Sequence, residues 1–290
     1  MGFAMKIKKH IIITILMISL LFFSGCSKAI YPDYYITASE TDNSKKNAKF
    51  TLSGSTSMTS LCNALAESFM SKYPNIQVEK SDTGSGAAVE SVLNGHSIIG
   101  DLSRDLKEDE KSENLESITI AYDGIAVIVN KENPISDLSY SQLQDIFTGK
   151  ISTWKSISGN DSRITLVGRE EASGTKDGFE SALNIVSKTK YDVQYQENGD
   201  IIAKVGNDVS AIGYCSLFSI SENIKAISIS GIFPTIQNIS DGQYTLIRPF
   251  IEVYNKQNKN ETIDLWFNFI RSDTGREIIL NQGLIPTNEH

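Results

Sequence analysis

The chain has 290 residues, 40% of them apolar and 21% charged, which is the balance of a globular protein rather than of a disordered or fibrous one. Its 35 acidic and 27 basic residues give a formal net charge of −8, which excludes nucleic acid as a partner and obliges any anion site to attract its ligand locally. Three cysteines and three histidines, scattered along the chain, provide neither a disulfide framework nor the His/Asp cluster of a metal-dependent hydrolase.

The first residues are basic (Lys6, Lys8, Lys9 and His10) and lead into an apolar run from Ile11 to Phe23. That run is shorter than the roughly 20 residues of a membrane-spanning helix. With the small residues Ser24 and Gly25 behind it, the segment 1–25 reads as a secretion signal. Phe23-Ser24-Gly25-Cys26 resembles a lipobox, in which Cys26 is lipidated and becomes the mature N-terminus. An uncleaved N-terminal anchor is the alternative, and both place the rest of the chain outside the membrane. Loss of the signal removes three lysines and no acid, so the mature chain is more negative still. Residues 26–48, rich in Ser, Thr, Asn, Asp and Lys without a sustained apolar period, read as a flexible tether.

Three times the globular part repeats one pattern, a short strand opening through a Ser/Gly-rich loop onto a helix. Lys49 to Leu52 is followed by Ser53-Gly54-Ser55-Thr56-Ser57, then by Met58, Leu61, Cys62, Leu65 and Phe69 at helical spacing as far as Tyr73-Pro74. Ile76 to Glu79 is followed by Thr83-Gly84-Ser85-Gly86 and by Val89, Val92 and Leu93, ending before Gly95. Arg163 to Val167 is followed by Gly168-Arg169-Glu170-Glu171-Ala172-Ser173-Gly174-Thr175 and by Phe179, Ala182 and Leu183. A helix N-terminus carries unpaired N–H groups and partial positive charge, glycine admits a ligand close to the backbone, and hydroxyls add donors that rotate. Arg169 adds a planar fork for an oxyanion. Each loop alone is also an ordinary helix cap; three in one chain, one bearing an arginine, point to an anion site.

The remaining apolar residues read as scaffold. Cys62 in a helical stripe and Cys215 in an apolar strand are expected as buried thiols. Leu143, Ile146 and Phe147 are expected as one helix face, Trp154 and Trp266 as packing, and Phe267, Ile270 and Ile278-Ile279-Leu280 as the apolar face of terminal helices. Neither Ser85 nor Ser173 sits in a full Gly-x-Ser-x-Gly elbow, and only His96 could serve as a base, so catalysis is not expected.

At the three loops the sequence resembles the phosphate-binding proteins of phosphate ABC importers. The likeness extends over nearly all of Phe50 to Pro286 and includes Tyr122 to Val127, Ile146 to Ile151 with Trp154, and Ala211-Ile212-Gly213-Tyr214. It implies a two-lobed α/β fold of the periplasmic-binding-protein type II kind, with two crossover strands as hinge and the ligand in the cleft. Lobe one would span 50–122 plus 253–290, and lobe two 123–252. It implies inorganic phosphate held by Thr56, Ser57 and Ser85 from lobe one and by Arg169, Ser173, Gly174 and Thr175 from lobe two. Ser55 and Ser103 are further candidates, and Glu171 stands where relatives carry an acid that orients the arginine, or is a solvated loop carboxylate. Some relatives place an aspartate where this chain has Ser103, to accept the proton of hydrogen phosphate. Asp123 at the crossover is the expected replacement, Asp101 the second candidate, and a turn cap with Gly124 the alternative for Asp123. Arg104 is expected as a rim or lobe-bridging ion pair. The resemblance also implies permease and ATPase subunits as partners, a monomer and no cofactor or metal. Another oxyanion such as sulfate or molybdate, or a sensing or adhesive surface role, stands as the alternative.

Overall fold

The computed structural model describes residues 48–157 and 161–287. The expected signal at 1–25, the lipidated Cys26 and residues 26–47 of the expected tether lie outside the described residues. Ala48 is already part of the first strand, because its N–H donates to Asn75 O at 2.9 Å. No helix among the described residues is long and apolar enough to cross a membrane.

Strands β1 (Ala48–Gly54) and β2 (Ile76–Asp82) run parallel, and β3 (Ile99–Leu102) pairs parallel with β1 on its other side. Helix α1 (Thr59–Lys72) joins β1 to β2, and α2 (Ser85–Leu93) joins β2 to β3, so the two crossovers set this sheet's parallel order. Side chains alternate across the sheet and create two cores. Leu52 and Ile99 pack with Leu61, Cys62, Leu65 and Phe69 of α1, whereas Leu102 packs with Ala88, Val89 and Val92 of α2. Phe69 is fully buried, with the rings of Phe50, Tyr73, Trp266 and Phe269 at 4.8–6.1 Å. Truncating such a residue to alanine costs about 3–5 kcal/mol.

A long strand, β4 (Leu115–Asn130), carries the chain into a second body. There β5 (Asp137–Leu138), α3 (Tyr140–Phe147), β6 (Thr165–Arg169), α4 (Gly174–Ala182), β7 (Val193–Tyr195), α5 (Asn198–Gly206), β8 (Ala211–Ser216), β9 (Ile224–Ala226), β10 (Ser228–Ile229) and α6 (Ile236–Ser240) follow in turn. Helix α3 begins with a capping box formed by Ser139 and Gln142 and buries Leu143, Ile146 and Phe147, as expected. Phe179 of α4 stacks on Tyr214 of β8 with ring centroids 3.9 Å apart, and Trp154 is fully buried in the same core.

The chain returns through β11 (Ile247–Asn255), which lies antiparallel between β3 and β4. It ends in α7 (Glu261–Arg271), α8 (Asp273–Asn281) and β12 (Ile285–Pro286) against the first body. Of the expected apolar face on α8, Ile279 is buried but Leu280 is 52% exposed. One ten-stranded sheet results, ordered β2-β1-β3-β11-β4-β8-β6-β7 with β9 and β12 on β4.

This is the expected two-lobed α/β fold with two crossover strands. The core changes from one body to the other between Ala121 and Ile125 on β4, and between Leu246 and Phe250 on the return. Phe250 and Ile251, expected in lobe two, pack instead in the cores of the first body, because β11 has joined β3 by Ile251.

Candidate functional site

Gly54 ends β1 at φ +146°, where a Cβ would lie 2.1 Å from the Asp101 carbonyl oxygen. That close approach to β3 admits only glycine. Ser55 follows, donating its N–H to the same carbonyl at 2.8 Å, while its Oγ accepts the Ser57 N–H at 3.2 Å and caps the turn Thr56–Met58. Ser55 Oγ also donates to Ser103 Oγ at 2.8 Å, and the Ser103 N–H donates to Ser85 Oγ at 3.1 Å. The first and second loops thus meet through buried hydroxyls at the head of β3.

The third loop faces them. Ser173 caps α4, its Oγ accepting the Lys176 N–H, so that Gly174 and Thr175 form the first turn. Gly174 lies so close to the opposite loops that a Cβ there would stand 2.4 Å from Ser85 Oγ and 2.5 Å from Ser103 Oγ. Ser57 Oγ and Thr175 Oγ1 are 2.6 Å apart, and the Gly86 N–H donates to Ala172 O at 3.2 Å. All three loops therefore converge on one spot between the bodies, at the carboxyl ends of β1, β2 and β6, where ligands bind in open α/β sheets.

Arg169 closes the ring. Its guanidinium donates to Thr56 Oγ1 at 2.9 Å, to Asn198 Oδ1 at 2.6 Å and to the carbonyl of Gln196, and its Nε donates to Tyr195 O at 3.3 Å. Burial and the neighbouring guanidinium of Arg248 push Arg169 down to about 10, so it remains a cation at neutral pH. Ser55, Ser85, Ser103, Arg169, Ser173 and Thr175 are all buried, and Thr56 and Ser57 half-buried.

Glu171 takes the second of its two expected readings, a solvated loop carboxylate, and Asp123 is engaged by an arginine. Glu171 does not touch Arg169: its exposed carboxylate pairs with Lys176 Nζ, a few residues along the same segment. Asn198, at the start of α5, holds the arginine instead and also donates to Ser57 Oγ at 3.2 Å.

Asp123 is buried beside the site but is bound to Arg248. The guanidinium donates to Asp123 Oδ2 at 3.0 Å from Nε and 2.7 Å from Nη2, while Ser216 Oγ donates to Oδ1 at 2.9 Å. Arg248 Nη1 in turn donates to Thr175 Oγ1, so the arginine stands between Asp123 and the loops. A buried guanidinium requires a counter-charge, and Asp123, its register partner across β4 and β11, supplies it. Burial pushes the Asp123 carboxyl above its usual range, and Arg248 and Ser216 pull it back. Among the described residues no carboxylate is hydrogen-bonded to Ser55, Thr56, Ser57, Ser85, Ser103, Arg169, Ser173 or Thr175.

Asp101 points to the other face of β3, into the core under α1, where Lys80 Nζ lies 3.4 Å from Oδ2. There it meets Cys62 and Glu252 in the one group of potential metal ligands among the described residues, with ligand atoms within 4.8 Å of one another. That group is separate from the three loops. Sequence reasoning missed Asn198 and Arg248. Asn198 opens α5 within a polar stretch of sequence with no distinguishing pattern, whereas Arg248 had a signal, a charge inside the otherwise apolar strand around Phe250, Ile251 and Val253.

The assembled chemistry is that of an oxyanion cradle: hydroxyls and helix-terminal N–H groups from three loops, plus a guanidinium that stays charged. Residues 38–274 match a family described as the PBP superfamily domain. The chain is 28% identical over 298 residues to the phosphate-binding protein PstS of Bacillus subtilis, covering 98% of this chain and 96% of that protein. A crystal structure from Clostridium perfringens with bound phosphate, described as a phosphate ABC transporter substrate-binding protein, superposes at TM-score 0.80 with 37% identity, covering 83% of this chain and all of that one. An ABC-type phosphate transport receptor from Vibrio cholerae superposes at TM-score 0.71 with 32% identity over the same shares.

Proposed function

The chain belongs to the PBP superfamily and, within it, to the phosphate-binding proteins, and from that premise we propose that it captures inorganic phosphate outside the cytoplasm and delivers it to an ABC importer. The observation that carries this reading is the convergence of three strand-to-helix loops and Arg169 on one point between the lobes. Thr56 offers its hydroxyl and backbone N–H, Ser57 and Ser85 their hydroxyls, and Ser173, Gly174 and Thr175 the turn of α4. Arg169 neutralises the anion, and Ser55 and Ser103 hold Ser85 in place and complete the hydroxyl shell. Lobe one comprises residues 48–122 with 250–287, and lobe two 123–249, hinged at β4 and β11. The bound form is hydrogen phosphate, the body is a monomer tethered through lipid on Cys26, and its partners are the permease subunits and, through them, an ATPase. The protein is a binder and not an enzyme.

Calorimetric titration of the ligand-stripped protein with phosphate, then sulfate, at neutral pH tests this. One-to-one binding of phosphate, weakened at least tenfold by Arg169→Gln, is the expected result. Absence of phosphate binding, or binding indifferent to Arg169, would refute it.

A further inference from the structure

Arg104 follows directly on Ser103 and is 4% exposed, an unusual depth for an arginine in a loop. Glu110 grips it from its own lobe, accepting from Nη1 and Nη2 at 2.6 Å each, and the Asp105 carbonyl accepts from Nη1 at 2.8 Å. The Lys107 N–H donates to the same Glu110 carboxylate at 2.9 Å, so the loop between β3 and β4 is folded around this pair. Burial alone would raise the Glu110 carboxyl; hydrogen bonds from Arg104 and from the Lys107 amide more than offset it and hold it below its ordinary value.

The remaining edge of the guanidinium crosses to the other lobe. Arg104 Nε lies 2.8 Å from Asp177 Oδ2, and Lys107 Nζ lies 3.0 Å from the same oxygen. Asp177 is in the first turn of α4, two residues after Thr175. Beside the pair a cavity of about 1010 Å³ is lined by Lys107 and Glu108 from one lobe and Glu180 and Ser181 from the other.

We propose that Arg104, pre-set by Glu110, latches onto Asp177 to hold the lobes closed and the first turn of α4 against the anion, and so sets the rate of anion release. The inference rests on the reading of the cleft as a phosphate site. Both members are positioning residues: neither side chain is hydrogen-bonded to the three loops, and because one stands on each lobe the pair requires the lobes to be together. The contact is an ion pair without an aligned hydrogen bond, and a guanidinium already held in place before closure gives up less side-chain freedom on pairing than a free surface arginine does. Removing one partner of such a pair acts on dissociation more than on association.

Stopped-flow association and release of phosphate with Asp177→Asn tests the latch. Release is expected to quicken about tenfold while association stays within twofold. Asp177→Glu should recover most of the loss, and the gap between wild type and Asp177→Asn should narrow as salt rises and screens the pair. Unchanged release, or a fall in association equal to the rise in release, would overturn the proposal. If the wild type bound no phosphate the functional reading would fail by itself. The latch would then be read from spin labels on the exposed positions Asn75 and Lys188. Asp177→Asn should widen their distance distribution, and identical distributions would overturn it.

Discussion

Arg248 and Asp123 change what the cleft is expected to discriminate. Hydrogen phosphate carries a proton that sulfate lacks, and an acceptor carboxylate facing the anion would exploit the difference. Asp123 spends its Oδ2 on two guanidinium N–H groups and its Oδ1 on Ser216. Asp123→Asn therefore leaves Arg248 buried without a counter-charge, a loss of about 3–5 kcal/mol. Chemical denaturation should report that loss, and titration should show weaker binding of phosphate and sulfate by similar factors. A large loss of discrimination with stability intact would instead mean that Asp123 does accept the phosphate proton. A second buried acid pair makes a separate prediction. Burial raises Asp101 to about 6, with Lys80 opposing, and burial together with Asp101 pushes Glu252 well above its ordinary value. Both groups bind protons more tightly folded than unfolded, so their stabilising effect is complete below the unfolded carboxyl range and is lost as pH rises through about 6. The Asp101 share is on the order of 3 kcal/mol. Urea unfolding at pH 5 and pH 8 should show the wild type losing stability with rising pH, and Asp101→Asn losing less. Equal slopes in the two proteins would remove Asp101 from this role.

At the scale of the element, the strand–loop–helix units were legible because their chemistry is local. Apolar spacing marked α1 and α2, and Ser and Gly marked the turns before them, all within a few residues of one another. Long-range pairing was not legible. Nothing near Asp123 in the chain announces Arg248, 125 residues away, yet the two are register partners on β4 and β11. Glu171 left two readings open, an acid that orients the arginine and a solvated loop carboxylate, and the structure matches the second. The first reading came from the resemblance to relatives, whereas the turn leading into α4 points the carboxylate to Lys176. The third loop also shows why its glycine is not a generic cap residue. With a Cβ at Gly174 only 2.4 Å from Ser85 Oγ and 2.5 Å from Ser103 Oγ, Gly174→Ala must either turn those buried hydroxyls out of the cradle or push the α4 turn away from the first two loops. Its expected effect is a loss of phosphate affinity of a hundredfold or more, with a melting temperature in the absence of ligand within a few degrees of wild type. Retained affinity would mean that the loops can part by a methyl group without loss of the site.

At the scale of the molecule, the two lobes share one sheet. Strand β4 supplies Ile120 and Ala121 to the core of one lobe and Ile125 and Val127 to that of the other, and β11 binds β3 and β4 together. Such a hinge is stiff along its strands and can bend only where the core changes sides, between residues 121 and 125 and between 246 and 250. It also couples the lobes, because the two crossover strands are paired to each other at the hinge itself, through Tyr122 with Pro249, Asp123 with Arg248 and Gly124 with Ile247. Calorimetric melting should therefore give one transition for the body rather than two. A ligand that binds only the folded, closed form adds stability by mass action, about 2.7 kcal/mol at a hundred times the dissociation constant. Phosphate should move that single transition upward as a whole, and sulfate should move it only to the extent that it binds. A melt in which phosphate shifts one transition and leaves a second behind would mean that the lobes fold independently and that β4 and β11 act as mere connectors. Closure would then have to be attributed to cross-lobe contacts such as Ser57 with Thr175, and not to the shared sheet.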